Sequence, residues 1–166
     1  MKSYVFLIDL DGVLADWSHR LPLIQQEPED REAFYAAMAN DPVIPAGCVL
    51  FNMLVTQAQI IGHAISAGNV TGAEVPFVDI ITCRPERTRD TTMVWFEANG
   101  LLAPRRMHMR EDLDTRPHSV IKMEMYEKYY KGKEEVLVLF EDNADTIKAF
   151  RDIGITVYQV CESGLN

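Results

Sequence analysis

The 166-residue sequence predicts an α/β domain built on a parallel sheet, and three observations lead there. Short apolar runs rich in β-branched and aromatic residues alternate with helical patterns. Each of these runs halts at a polar cluster. Hydrophobic residues make up 48% of the chain against 25% charged, enough for one core of ordinary size. Tyr4 to Ile8 is the first apolar run, a strand buried on both faces that stops at Asp9-Leu10-Asp11-Gly12. Val75 to Thr82 and Val136 to Phe140 are the second and third, and Ile155 to Val160 makes a fourth. Helical patterns over 87–99, 119–131 and 145–153 separate them, with Gly100 and Gly154 as stops.

Residues 17–74 form a long, mostly helical stretch without a convincing strand, which is expected to be an inserted cap. Glu29 to Ala39 and Val49 to Ala67 carry its helical patterns, Pro42, Pro45 and Gly47 punctuate it, and Gly68 to Gly72 is a loop. There is no internal repeat or low-complexity segment, so a single domain over 1–166 is the economical count.

A net charge of −9 argues against a broad electrostatic grip on nucleic acid. A local basic site stays open, because residues 84–116 hold seven arginines against six acids. Cys48, Cys83 and Cys161 have no zinc-type spacing, and their odd number suits a reducing cytoplasm without disulfides. The apolar stretch after Met1-Lys2-Ser3 ends at Asp9, and no later run approaches the roughly 18 residues of a membrane span. A cytoplasmic protein with no membrane partner is therefore expected.

Ligands of open parallel sheets bind beyond the carboxyl ends of the strands, and here those ends are unusually polar. The first strand ends in Asp9-x-Asp11-Gly12, the second in Thr82-Cys83-Arg84, and the third in Glu141-Asp142-Asn143. Carboxylates gathered this closely repel one another unless a hard cation holds them, and an oxygen-rich site suits Mg²⁺. Asp9 and Asp11 can both face the ligand if Leu10 between them turns into the core. One carboxylate can then attack phosphorus while the other protonates the leaving alkoxide and later activates water. Thr82 can donate to a phosphoryl oxygen, and Lys122 can neutralise its charge.

Asp-x-Asp-Gly-Val-Leu after the first strand, Thr82, Lys122 and Glu141-Asp142 together resemble the four motifs of the haloacid dehalogenase superfamily of phosphohydrolases. The resemblance implies a three-layer, Rossmann-like parallel sheet with a small helical cap. It makes Asp9 the nucleophile that becomes an aspartyl-phosphate and Asp11 the general acid and base. The magnesium shell would be Asp9, Glu141, Asp142 and Asp11, the last through its main-chain carbonyl, and Thr82 and Lys122 would bind the phosphoryl group.

A narrower likeness runs through Asp16-Trp17-Ser18-His19-Arg20-Leu21, Thr82-Cys83-Arg84-Pro85-Glu86, Met109-Arg110-Glu111 and Asp114-Thr115-Arg116. These segments resemble the 3′-phosphatase domain of phage polynucleotide kinase and its stand-alone relatives. That likeness implies phosphate binding by Arg84 and Arg116, with Cys83 and His19 near the substrate. Cys83 stands where that family usually has glycine, and Glu141 where the phage enzyme has aspartate. No G-x-x-x-x-G-K-[ST] stretch is present, so phosphate removal rather than kinase chemistry is expected, with a separate kinase or ligase as a candidate partner.

The expected substrate is a phosphorylated nucleic-acid end. A 5′- or 3′-nucleotidase or small-metabolite phosphatase is the alternative, favoured by the negative charge and the long cap. From another class, a phospho-aspartate signalling receiver would also hold an acidic magnesium pocket. Asp11 and the position of Lys122 before the Glu141-Asp142 tip argue against it.

Overall fold

The computed structural model describes residues 4–70 and 74–161. Five parallel strands form one sheet in the order β3-β2-β1-β4-β5, where β1 is Tyr4–Ile8, β2 Pro76–Pro85, β3 Arg106–Arg110, β4 Glu135–Glu141 and β5 Val157–Gln159. Six α-helices accompany them: α1 Pro22–Gln25, α2 Arg31–Ala36, α3 Pro45–Ser66, α4 Arg89–Ala98, α5 His118–Tyr129 and α6 Ala144–Asp152. The side-chain alternation of β1 serves both faces of the sheet. Val5 and Leu7 pack with Ile121 and Met125 of α5 and with Ile147 and Phe150 of α6. Ile8 packs with Phe51 and Val55 of α3 and with Trp95 and Phe96 of α4. Each such large side chain contributes roughly 1.5–3 kcal/mol of transfer free energy, which makes the layers helix, sheet, helix.

Strand β3 is not among the four strands expected from the sequence. Its segment, Arg-Met-His-Met-Arg, has no apolar run, and only Met107 and Met109 alternate into the core. Such polarity is usual on a sheet edge, where charge deters pairing with another chain. Strand β2 also continues past Thr82 to Pro85, and β5 is shorter than the expected 155–160. Part of the expected 68–72 loop, together with residues 1–3 and 162–166, lies outside the described residues.

The expected 17–74 cap divides into two parts. Residues 18–40, a chain of short helical turns with α1 and α2, carry Arg20, Ile24, Phe34, Tyr35 and Met38 to the pocket at the strand tips. Helix α3, by contrast, is the crossover between the paired strands β1 and β2, so it must run back along the sheet. Pro45 in its first turn suits a position where a missing N–H costs nothing. A Cβ on Gly47 would overlap the Val13 carbonyl, so only glycine lets the helix come this close. Helix α3 is long and apolar enough to cross a membrane by length and composition alone. Its Gly47, Cys48, Phe51 and Val55 stripe is nevertheless committed to the sheet, while Val49, Met53 and Ile60 are exposed.

Candidate active site

The chain leaves β1, goes outward through β2 and β3, and returns to the other side of β1 with β4, so the strand order reverses between β1 and β4. Parallel sheets open a crevice at such a point. Asp9 enters it from β1, its N–H donating to the Phe140 carbonyl at 3.0 Å. The turn that follows is tight: the amides of Leu14 and Ala15 donate to the Leu10 carbonyl at 2.8 and 2.9 Å. Leu10 is fully buried in the core, as the spacing requires, and Asp9 and Asp11 both line the pocket. Gly12 has φ +85°, and a Cβ there would overlap the Asp142 carboxylate. Glycine is thus demanded twice, by conformation and by space.

Asp142 and Glu141 come from the tip of β4, and Lys122 comes from α5. The Lys122 ammonium lies 2.8 Å from Asp9 Oδ2 and 2.7 Å from Glu141 Oε2. Glu141 Oε1 accepts from the backbone amides of Asp142 and Asn143, so this carboxylate also shapes the strand tip. Two buried carboxylates thus share one ammonium, with a third, Asp142, beside them. Burial works against the Lys122 charge, but Asp9 and Glu141 outweigh it and keep the group protonated. Burial and the Glu141 charge raise the Asp9 pKa well above the usual carboxylate range despite Lys122. Burial, then the Asp9 charge, pushes Asp142 up to about 6.

Oxygens of Asp9, Glu141 and Asp142 lie within 4.8 Å of one another. With every carboxylate ionised, three against the one Lys122 ammonium leave a formal charge of −2, presented by oxygen donors only, and burial and this crowding together raise the Asp9 and Asp142 pKa values. Its donors and its charge fit a divalent hard cation. The Asp11 carboxylate does not belong to this group, and the expected ligand from Asp11 is its main-chain carbonyl, which leaves the side chain to other partners. It accepts instead from Arg84 Nη2 at 2.6 Å and from Arg20 Nη2 at 2.7 Å. The same two guanidiniums reach Asp41 Oδ2 at 2.7 and 2.9 Å. Burial alone would raise the Asp11 pKa, but Arg84 and Arg20 outweigh it and hold the group below its ordinary value.

Thr82 is buried beside this network, its Oγ1 accepting from the Arg84 amide at 3.2 Å, and it lines the pocket with Arg84. Cys83 lines it too, and burial pushes its thiol up to about 12, so it is no nucleophile at neutral pH. Two expected substrate contacts lie elsewhere. Arg116 is exposed outside the pocket and forks onto Asp114 and Glu124, because those acids are its neighbours on the loop and on α5. His19 is turned from the pocket to Asp41, with Nε2 2.8 Å from Oδ1.

The arginine-rich stretch 84–116 is not a basic face either. Arg87 pairs with Glu32, Arg89 with Glu86, and Arg105 and Arg106 with Glu134. Only Arg84 and Arg110 of the seven line the pocket. Arg20 and Arg110, quoted from sequence only within the segments of the narrower likeness and given no role, join the site with Asp41, Tyr35 and His118. Arg20 and Asp41 meet across 21 residues that hold α1 and α2, a separation no single periodic element spans. The polar tip of an unrecognised β3 could have pointed to Arg110.

With this geometry in view, comparison with known proteins is decisive. A family model of the polynucleotide kinase PNKP phosphatase domain matches residues 65–164, more than half the chain. The chain belongs to this family. The match holds Thr82, Arg84, Lys122, Glu141 and Asp142, while Asp9 and Asp11 lie before it. Two solved structures, of a Pnkp1/Rnl/Hen1 complex and of the Pnkp1/Rnl/Hen1 RNA repair complex, align with TM-scores of 0.74 and 0.70, each at 18% identity. They cover 97% and 99% of this chain but 47% and 44% of the matched ones, so the chain spans less than half their length. A class C acid phosphatase from Bacillus anthracis with tungstate bound aligns at TM-score 0.61 and 12% identity over 98% of this chain and 68% of its own. No curated protein matches. At these identities the solved structures establish the shared fold, and the family match makes the chain a phosphatase of the haloacid dehalogenase superfamily.

Proposed function

We propose that this phosphatase is Mg²⁺-dependent and removes 3′-phosphates from nucleic-acid or oligonucleotide ends through an aspartyl-phosphate on Asp9. The observation that carries the reading is the convergence, in one pocket, of Asp9, Asp11, Thr82, Arg84, Lys122 and Asp142. Asp9 attacks phosphorus, forming an Oδ–P bond as the bond from phosphorus to the leaving sugar oxygen breaks. Asp11 gives its proton to that oxygen, and as a carboxylate it then takes one from the water that hydrolyses the acyl phosphate. Lys122 and Thr82 hold phosphoryl oxygens by charge and hydroxyl. Arg84 and Arg20 hold Asp11 in place, and their release toward the incoming phosphate would let its pKa rise, as a proton donor requires. Mg²⁺ held by Asp9, Asp142 and Glu141 would neutralise charge on the transferring group.

The nucleotidase reading has its own support. Residues 18–40 roof a cavity of about 230 Å³, a small space for a polymer end, and the chain carries −9. Phosphate release with and without Mg²⁺, from a 3′-phosphorylated oligonucleotide and from the matching 3′-mononucleotide, separates the two. Preference for the oligonucleotide supports end healing, and preference for the mononucleotide replaces it with nucleotide metabolism. In the end-healing case, a separate kinase or ligase is the partner we expect beside it.

A further inference from the structure

Helix α3 differs from the other long helices in its charge. Its 22 residues hold no Asp, Glu, Lys or Arg, whereas α4, α5 and α6 carry three, four and four such residues. The sheet takes up only one side of it, through Gly47, Cys48, Phe51 and Val55. On the other side Val49, Met53 and Ile60 are 60%, 65% and 56% exposed, with Leu50 open beside them and exposed Thr56 and His63 in line. Surface helices of soluble domains ordinarily turn charge outward there.

Val49, Met53, Thr56, Ile60 and His63 follow one another at steps of four, three, four and three residues. Such a row, averaging about 3.5 residues, is what lies flat against a second helix. It reads equally well in reverse, so a two-fold axis at Thr56 sets Met53 of one copy against Ile60 of the other and Val49 against His63. An interface between identical chains needs this self-complementarity. Two copies of a chain with net charge −9 repel each other, and the uncharged side of α3 is where they can touch without setting like charges together. Pairing the two helices, with Leu50 and Gln57 at the margins, buries on the order of 500 Å² per copy, which reaches the roughly 1,000 Å² total of a specific interface. A bilayer is a poorer occupant. Helices that lie in a membrane surface border their apolar side with Lys and Arg, and α3 has neither.

We propose that the exposed side of α3 is a homodimer interface, formed by antiparallel packing of α3 against α3 of a second copy about a two-fold axis near Thr56. No α3 residue is among those lining the catalytic pocket, so the pairing uses none of the catalytic machinery. It is independent of which phosphoester the pocket takes.

Sedimentation velocity tests it on the full chain from about 1 to 300 μM, the range in which an interface of this modest size assembles. Wild type is expected to pass from 18.9 kDa to twice that mass as concentration rises. Met53→Glu and Ile60→Glu each bring like charges into the seam and should raise the dissociation constant at least about tenfold. Val94→Glu, at an equally exposed position on α4, should leave it unchanged. In a Cys161→Ser background, which removes the exposed native thiol, Thr56→Cys should cross-link to its own copy on mild oxidation. Val49→Cys should not, because the two copies of residue 49 lie about 21 Å apart along an antiparallel pair. A monomer throughout the range, or a dimer indifferent to both glutamates, overturns the proposal. Equal cross-linking at 49 and 56 overturns the antiparallel arrangement. Co-flotation of a monomeric chain with phosphatidylcholine vesicles overturns it in favour of a membrane. If circular dichroism shows the glutamate variants unfolded, the contrast between Thr56→Cys and Val49→Cys decides alone.

Discussion

Two charge networks are buried against the same sheet, and their charges add up differently. Midway along β2, Asp79 is fully buried, yet Arg105 forks onto both of its oxygens at 2.9 and 2.6 Å and the Tyr130 hydroxyl donates to it at 2.9 Å. Glu134 pairs with Arg105 and Arg106, so two acids meet two arginines. At the strand tips, Asp9 and Glu141 share Lys122 with Asp142 beside them, while Arg110 makes no ion pair among the described residues. Burial of charge is common to both networks. Of the two networks, the one at the pocket is the unbalanced one.

The largest contrast is in turnover. Asp9→Asn is expected to lower phosphate release by at least about 10⁴-fold, as loss of a nucleophile does, while Asp79→Asn stays within about twofold. Comparable rates in the two variants would remove the distinction. Stability should divide the networks in the opposite sense. Asp79→Asn removes the charge that Arg105 needs and is expected to cost about 3–5 kcal/mol in urea unfolding. Asp142→Asn removes one of three crowded carboxylates and is expected to raise the stability of the metal-free protein by about 1 kcal/mol.

Glycine substitutions sharpen the comparison on a smaller scale. Gly12→Ala and Gly132→Ala both place a side chain at positive φ, +85° and +72°, at about 1 kcal/mol each. Only the first also pushes on Asp142, since nothing lies within 4 Å of the second. Loss of turnover is therefore expected in Gly12→Ala and not in Gly132→Ala. The smallest effect is chemical. A Cys83 pKa raised from 9.0 to about 12 leaves a thiolate fraction roughly 10³-fold below that of an ordinary thiol at neutral pH. Because the folded value is raised, the reactive form appears only as pH climbs toward 12. Iodoacetamide with intact-mass readout should label exposed Cys161 long before Cys83 at pH 8, and the reverse order would show that Cys83 is activated.

Much of this was legible in one dimension because the signal is local. Four of five strands announce themselves as apolar runs, and the candidate site residues cluster at the ends of three of those runs, so Asp9, Asp11, Thr82, Glu141 and Asp142 could be read from strand ends alone. Lys122 needed the family pattern, since one lysine on a helix carries no mark of its own. Arg116 and His19, expected near the substrate, lie off the pocket lining, because each meets an acid at short range, Asp114 and Asp41.

Residue order along the chain was enough for the layered α/β fold, the carboxylate set and the phosphatase family, because periodicity and strand-end motifs are properties of neighbouring residues. The division of 17–74 into a pocket roof and a crossover helix was decided only in three dimensions, and so were the sharing of Arg20 and Arg84 between Asp11 and Asp41 and the isolation of Arg110. Those outcomes depend on which charges meet across tens of residues once water is excluded, and a guanidinium finds its partner by distance in the folded chain, not by position along it.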